Sequence, residues 1–586
     1  MQLVVSTRRY AIAAILCALL VICALVAASP AARASGGSDS LGARSLATDW
    51  YFAEGTTRDG FTTYIAVMNP NPDAADVTFT YMLGLGDPVV RTHRVAAASR
   101  FTIDLSLDVG PGRDVATFIH STLPVVAERP MYFIYQGKWN GGDDSLGATR
   151  PARQWFFAEG TTRVDFVTYL AVLNPNNAAS DVTFTYLPGS GQPVIREHTV
   201  AAMSRFTVDV AADLGPEYQG RDVSTIVESA LPVVAERPMY FDYQGKWDGG
   251  HDSLGAQSLS TEWDFAEGTT RDGFVTYLTV ANPGEAPSDV TMTYMLGSGK
   301  TVIRSHEIPS HSRFTIDVSA DVGAGQDVST TITSTVPVAA ERPMYFDYQG
   351  KWTGGSDVVG ANFPASNWYF AEGSCRTNFE PYICILNPGG DTADIRITYM
   401  KGNGTTQEQT ASVPARARAT IPVSSVLGTG DDPAHDFSAQ VTCTNGDVIC
   451  ERPTYFDYQG KWDGGFDVMG ATMASSTCYF AEGSCRPGFD AYLCVQNPGN
   501  TAASVQVTYM KGDSTTAVQA TTVPARSRAT LHPADVLGVG NDSAHDFAAT
   551  VTCDTCQQII VERPMYFDYQ SKWTGGSDVL GYVPGQ

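Results

Sequence analysis

Glu128-Arg129-Pro130-Met131-Tyr132-Phe133, followed after one residue by Tyr135-Gln136-Gly137-Lys138-Trp139, decides how the chain is read. The phrase returns from Glu236, Glu341, Glu451 and Glu562, with Met replaced once, by Thr454. Each copy runs on into Lys-Trp-x-Gly-Gly-x-Asp, at Trp139, Trp247, Trp352, Trp462 and Trp573. Five copies of one phrase imply five copies of one folding unit.

Upstream, Trp-Tyr-Phe-Ala-Glu-Gly opens the first unit at Trp50, and variants open the others at Trp155, Trp263, Trp368 and Cys478. The spacings are 105, 108, 105 and 110 residues, and an Asn marks the same place in each, at Asn69, Asn174, Asn282, Asn387 and Asn497. Periods this long describe whole domains in tandem; solenoid turns and propeller blades repeat every ~40–50 residues. The boundaries read as 35–148, 149–256, 257–361, 362–471 and 472–586, after a segment 1–34 of different character.

Within a unit the pattern is β. Val77, Phe79 and Tyr81 alternate with Thr78 and Thr80, and Phe101, Ile103 and Leu105 with Thr102, Asp104 and Ser106, the period of half-buried strands. Seven strands are expected in the first unit, around 50–53, 61–68, 76–83, 88–95, 99–105, 114–121 and 125–135, and no segment carries a helical stripe. Turns fall at Asn69-Pro70-Asn71-Pro72, Gly84-Leu85-Gly86 and Gly110-Pro111-Gly112. The fold class is therefore all-β: five tandem immunoglobulin-like antiparallel β-sandwich modules, strung as beads or a rod on the order of 150–200 Å long. Pro130 cannot donate a ladder hydrogen bond, so the phrase is expected on an edge strand or a bulge.

Gly-Gly-x-Asp-x-x-Gly occurs six times, from Gly36, Gly141, Gly249, Gly354, Gly464 and Gly575. Six copies bracket five units, which points to an ordered joint completed by a neighbour's segment.

Acidic residues number 62 against 38 basic ones. Residues 1–34 hold three Arg and no acid, so the remainder has 35 basic residues and a net charge near −27. Such a polyanion gains nothing from phosphate backbones or anionic lipid, which excludes nucleic acid as a partner class. The N-terminus reads as an export signal: Arg8-Arg9, an apolar run from Tyr10 to Ala28, and Ala32-Arg33-Ala34 as a small-x-small cleavage site. An uncleaved anchor is the alternative, because the run is long enough to span a bilayer. No later segment is. The reading places the protein outside the cell or on its surface.

Nine of the 11 cysteines follow residue 374, and in an exported chain disulfides are the default expectation. Ala66 corresponds to Cys384 and Cys494, and Ser121 to Cys443 and Cys553. The joint exchange points to cross-sheet pairs Cys384–Cys443 and Cys494–Cys553, with Cys375–Cys450 as the remainder in the fourth unit. A local alternative is Cys375–Cys384 with Cys443–Cys450.

Motifs for chemistry are sparse. The recurrent carboxylates Glu54 and Glu128 are the candidate catalytic pair of a glycan-active enzyme, but each has an Arg close in sequence, Arg58 and Arg129, and reads as structural ion pairing. Asp144 and its copies offer calcium one carboxylate per joint, a weak site. Arg-x-His at His93, His198 and His306 lacks companion ligands, and Gly297-Ser298-Gly299-Lys300-Thr301 is a hairpin turn rather than a phosphate loop. Trp139, Trp247, Trp352, Trp462 and Trp573, beside Gly-Gly turns, are candidates for stacking on sugar rings; the competing reading packs them into the joints.

Trp-Tyr-Phe-Ala-Glu-Gly at 50–55, Asn69-Pro70, Ser99-Arg100-Phe101 and the phrase from Glu128 resemble a repeat of unknown function in large secreted and surface proteins of bacteria, notably actinobacterial and related lineages. The resemblance covers almost the whole chain after residue 34. It implies an extracellular β-sandwich and assigns no activity, so no functional residue is carried over. Ala419 and Ala529 depart from it where the Phe should follow Arg418 and Arg528. The sequence thus points to a secreted or cell-surface, non-enzymatic repeat protein acting as spacer, adhesive or envelope component. The alternative is a multivalent carbohydrate-binding array, with an enzyme third. Expected partners are envelope components, other copies of the chain or extracellular glycans, and no cofactor is expected beyond the calcium considered above.

Overall fold

The computed structural model describes residues 37–41, 46–554, 558–570 and 573–580. The export segment 1–34, Cys17, Cys23, Cys556 and the side chain of Trp573 lie outside them.

Alternation decides the first repeat. In β4 (Ala75–Leu83) Val77, Phe79 and Tyr81 are buried, while Asp76 faces solvent. β4 pairs on one side with β5 (Val89–Val95) and on the other with the first part of β7 (Val115–Tyr135), which also holds β2 (Ala47–Phe52). The second part of β7 lies between β3 (Phe61–Asn69) and β8 (Trp139–Leu146), and β6 (Ser99–Asp104) completes that sheet beyond β3. Two four-stranded antiparallel sheets thus share one 21-residue strand. The two strands expected over 114–135 are one strand, and the Gly-Gly joint, expected as a connection, is itself a strand. Pro130 sits between two partners rather than at an edge. The register on either side of it is unbroken, and the ladder to β3 simply lacks the pairs opposite Arg129 and Pro130, where the missing N–H would have donated. One helical turn, Leu105–Val109, is capped by the Asp104 carboxylate accepting from Ser106 N, a cap that a search for long apolar stripes passes over.

Two recurrent residues hold the sandwiches: a Trp in the first four, where the fifth has Cys478, and an Asn in all five. Trp50 is fully buried and its Nε1 donates to Val125 O at 3.1 Å. Trp155, Trp263 and Trp368 repeat this at Val233 O, Val338 O and Val448 O. Asn69 Nδ2 donates to Asp73 O, Val95 O and Ala96 O at 3.0, 3.2 and 2.8 Å, while its Oδ1 accepts from Asn71 N. The Asn recurs because one amide satisfies three loop carbonyls that would otherwise be buried unpaired. The strand pattern recurs with every copy of the phrase. In the last two copies the long strand is divided, into Phe437–Cys443 with Ile449–Tyr458 and Phe547–Cys553 with Ile560–Tyr569.

The repeats do not form a rod. The counterparts of β8 are Trp247–Leu254, Trp352–Val359, Trp462–Met469 and Trp573–Leu580. Each touches the next, and the last touches β8. The first and fifth repeats meet through the same contacts as any adjacent pair, so the chain closes into a ring with these five strands innermost. Glycine makes the closure fit. A Cβ on Gly142 would stand 2.9 Å from the Phe567 ring of the fifth repeat. The same clash would arise between Gly250 and Phe133, Gly355 and Phe241, Gly465 and Phe346, and Gly576 and Phe456. Each phenylalanine of the opening phrase therefore lies over the next repeat's glycine. Closure replaces the end-to-end spacing of a rod because this interface joins two different faces head to tail and five rotations bring it back to its start.

Candidate functional site

The repeated phrases meet at the interfaces between repeats. Glu236 of the second repeat reaches back to the first and accepts from Ala53 N and Glu54 N at 2.9 and 3.0 Å. Arg129 Nη1 donates to Glu236 Oε2 at 2.6 Å and to Glu54 O at 2.9 Å; its Nη2 donates to Ser145 Oγ at 3.0 Å and to Asp252 Oδ2. The guanidinium lies 5.8 Å from the Phe52 ring centre. Arg205 Nη2 meets Glu54 Oε2 at 3.0 Å and its Nη1 donates to Gly55 O at 2.8 Å. All five groups are buried or nearly so.

The set recurs around the ring. Arg237 meets Glu341 and Asp357, Arg342 meets Glu451 and Asp467, and Arg452 meets Glu562 and Asp578. Arg563 closes the circle on Glu128 at 3.0 Å and Asp144 at 2.7 Å. The second guanidinium recurs as Arg313 on Glu159, Arg418 on Glu267, Arg528 on Glu372 and Arg100 on Glu482.

Three carboxylates against two guanidiniums, with Asp143 as a fourth carboxylate 3.9 Å from Arg129 at the first interface, leave each cluster with excess negative charge for a dry site. A retained proton reduces it. Burial and the charge of Glu236 push Asp252 well above the ordinary carboxylate range. Burial alone would raise Glu236 as well, but Arg129 and the Ala53 N–H hold it below its usual value. At the next interface two glutamates are raised instead: burial lifts Glu341, against Arg237 and with Asp357, to about 7, and lifts Glu159, against Arg313, to about 7 as well.

Above these clusters three interfaces open into equivalent clefts of about 110, 30 and 160 Å³, between repeats one and two, two and three, and four and five. In the first, Arg58 and Asp114 form a two-pronged pair at 2.8 and 2.5 Å on the rim. Phe61 and Tyr240 form a wall, and Tyr135 OH and Tyr169 OH meet at 2.8 Å across the interface. The third cleft is flanked by a further network: His532 Nε2 lies 2.8 Å from Asp490, whose carboxylate also accepts from Tyr458 OH. Its Asp490 contact, opposed by burial, raises the His532 pKa.

The structure revises most of the site residues read from sequence. Trp139, Trp247, Trp352 and Trp462 are 4–8 % exposed, too little for a sugar to stack on. They pack instead against tyrosines of the phrase, Trp139 on Tyr135 at 5.6 Å and Trp247 on Tyr243 at 5.3 Å. Glu54 and Glu128 belong to different interfaces, with partners Arg205 and Arg563 rather than Arg58 and Arg129. They do not face one another as a catalytic pair. Asp144 and its copies each hold a guanidinium where calcium was considered.

The expected disulfides are not made either. Cys375, Cys384, Cys443, Cys450 and Cys494 are thiols. Cys384 Sγ donates to Glu267 Oε2 of the preceding repeat at 2.7 Å, and Cys494 to Glu372 Oε2 at 2.7 Å. These cysteines face out of their sandwich toward the neighbour, away from the sheet that carries Cys443 and Cys553. Sequence reasoning notes Arg100, Arg418 and Arg528 only as marks of the resemblance, and gives Arg205, Asp114 and Tyr169 no role. Recurrence is the signal that could have found Arg205, since Ser-Arg or Ala-Arg stands at the same place in all five repeats.

Residues 255–444 match a family of unknown function, DUF5719. A comparison with curated proteins gives no match. Among solved structures, one from Thermotoga maritima, 1070, is 17% identical over 18% of this chain and 94% of its own, with a TM-score of 0.17. The Anabaena sensory rhodopsin transducer is 24% identical over 14% of this chain and 92% of its own, at 0.13. A tetra-tandem repeat from the extending region of a large adhesion protein is 10% identical over 72% and 97%, at 0.09.

Proposed function

We propose that the protein is an extracellular, non-enzymatic scaffold, exported by its N-terminal segment and serving in adhesion or envelope structure as a rigid ring. The observation that carries this reading is the cyclic interface. Its recurrent Glu, Arg and Asp side chains are spent on one another, and the contacts that join repeats one and two also join five and one. A closed ring presents five copies of each loop from one rigid body, so its role is that of a platform rather than a spacer. Envelope components or other copies of the chain are its partners. Fractionation and labelling of intact producing cells test the placement: antibody reaching the protein on whole cells or in the medium is expected, and confinement to the cytosol would overturn it. A deletion strain with unaltered adhesion and envelope integrity would overturn the role.

The clefts favour a second reading, a multivalent carbohydrate-binding array. Its sites would be the rim Arg–Asp pairs and the tyrosines behind them, in place of the buried tryptophans. An arginine–carboxylate pair beside aromatic walls offers donors, acceptors and a stacking face to a sugar, and weak sites repeated on one body gain from multivalency. Glycan-array binding lost on combining Arg58→Ala, Arg163→Ala and Arg376→Ala is the expected result. Binding that survives them would remove the clefts from consideration.

A further inference from the structure

Five inner strands and six copies of their motif leave one copy over. That copy, β1 (Gly37–Leu41), pairs with the fifth repeat's inner strand Trp573–Leu580 in parallel. The register sets copy on copy: Gly37 lies beside Gly576, Asp39 beside Asp578 and Leu41 beside Leu580. β1 also touches β8, Trp352–Val359 and Trp462–Met469, so it runs inside the circle that the inner strands form. Its ladder is to the fifth repeat, not to the first, from which it comes.

Among the described residues, the other four inner strands are paired along one edge only. An open edge is a row of N–H and C=O groups ready to accept a strand. The other four are not bare, since Asn140 N donates to Asp248 Oδ2 of the next repeat at 3.4 Å; the edge that takes a strand is the fifth repeat's, which holds β1. Gly37 lies beside Gly576, where a Cβ would stand 2.7 Å from the Phe456 ring, so this level of the axis is too crowded for a bulkier residue. The inner strands are related by the ring's rotation and run in one direction, so a strand parallel to one is parallel to all.

We propose that the ring axis is an acceptor site for one extended peptide strand of the Gly-Gly-x-Asp-x-x-Gly type, filled by the chain's own N-terminal copy and open to the same segment of a second copy. The occupant is named by what already sits there. β1 is tied to β2 by residues 42–46 alone, a tether that reaches at most about 20 Å. A copy that leaves its own axis and enters another ring's recovers the same ladder, so exchange links rings without a new interface.

Two variants of the chain from Ser35 onward test this. Ser38→Pro with Asp39→Pro empties the axis, because neighbouring residues donate to opposite sides and one proline removes a ladder donor whichever way β1 faces. A fluorescent peptide spanning residues 36–42 is then titrated. One peptide per ring is expected, bound at least ten-fold more tightly than by the unaltered chain, with binding lost when both glycines of the peptide become valine. Absence of binding, equal binding to both proteins, or binding indifferent to the glycines would overturn the site. The second variant deletes residues 43–45, so that β1 no longer reaches its own axis. Linked rings that grow with protein concentration in light scattering are expected. A species that stays a single ring at every concentration would overturn exchange with a second copy.

Discussion

Glu341→Gln tests whether the interface clusters hold a proton. Burial raises the Glu341 carboxyl from about 4.5 to about 7, with Arg237 opposing and Asp357 adding to the rise. A raised acid contributes stability that is complete below its unfolded value and is lost as the pH climbs through its folded value. The window therefore runs from about 4.5 to about 7. The slope is at most about 1.4 kcal/mol per pH unit and halves at the folded value, so the loss between about pH 5 and pH 7 is roughly 2.2 kcal/mol. Glutamine keeps the shape of the acid and does not titrate; its NH2 forfeits an acceptor used by Ala158 N or Glu159 N, a cost that does not vary with pH. The unfolding free energy of the unaltered protein minus that of Glu341→Gln should thus fall by about 2–3 kcal/mol over that range. Guanidinium unfolding followed by fluorescence of the buried tryptophans, at a series of pH values, measures it. Other titrating groups largely cancel in the difference. A difference that stays flat, or grows with pH, would refute the shared proton.

Arg563→Met removes the guanidinium from Glu128 and Asp144 at the one interface that the chain does not also tether. A loss of about 3–5 kcal/mol is expected from the stranded carboxylates, with a larger Stokes radius as the ring opens, and an unchanged elution volume would count against closure. Gly250→Ala sets a Cβ 2.8 Å from Tyr240 and 2.9 Å from Phe133 and should cost about 1–3 kcal/mol, read as a lower Tm. Gly189→Ala, with nothing within 4 Å, should leave Tm nearly unchanged. Burial and Glu267 push the Cys384 thiol well above its usual range. A thiol reagent should therefore leave Cys384 unlabelled in the native protein and label it on unfolding, as peptide mapping by mass spectrometry would report.

The strand content and repeat unit are legible because both are local. The alternation in Ala75–Leu83 and the Asn69 corner depend on neighbours within one sandwich. Closure is not legible, because nothing in the spacing of Glu128, Glu236 and Glu341 distinguishes a line of interfaces from a circle. The distinction lies in the angle between adjacent repeats, which Gly142 and Phe567 set by how closely they approach. The same gap misplaces the partners. Arg58 and Arg129 are near Glu54 and Glu128 in sequence, but the ladder sends Arg129 across to Glu236 and Asp252 and leaves Glu54 to Arg205. Trp139 beside two glycines resembles an exposed platform until Gly141 proves to lie under its own repeat's Phe133 and Gly142 under the neighbour's Phe567. Cys384 and Cys443 exchange together without touching, since the first faces the preceding repeat.

The inner strands have one further property. Five subunits of a homopentamer would carry one residue at every equivalent place, whereas this ring is one chain and each place is encoded separately. Between the second glycine and the aspartate of the motif stand Asp143, His251, Ser356, Phe466 and Ser577. His251 is held neutral, its pKa brought down to about 3 by burial and Arg237, while Phe466 lies tilted against Phe456, ring centres 5.7 Å apart. The backbone cannot tell one fifth of a turn from the next, but these side chains can. Each fifth of the ring therefore carries its own chemistry on a common backbone, and a heading around the circle is written in a single codon per repeat.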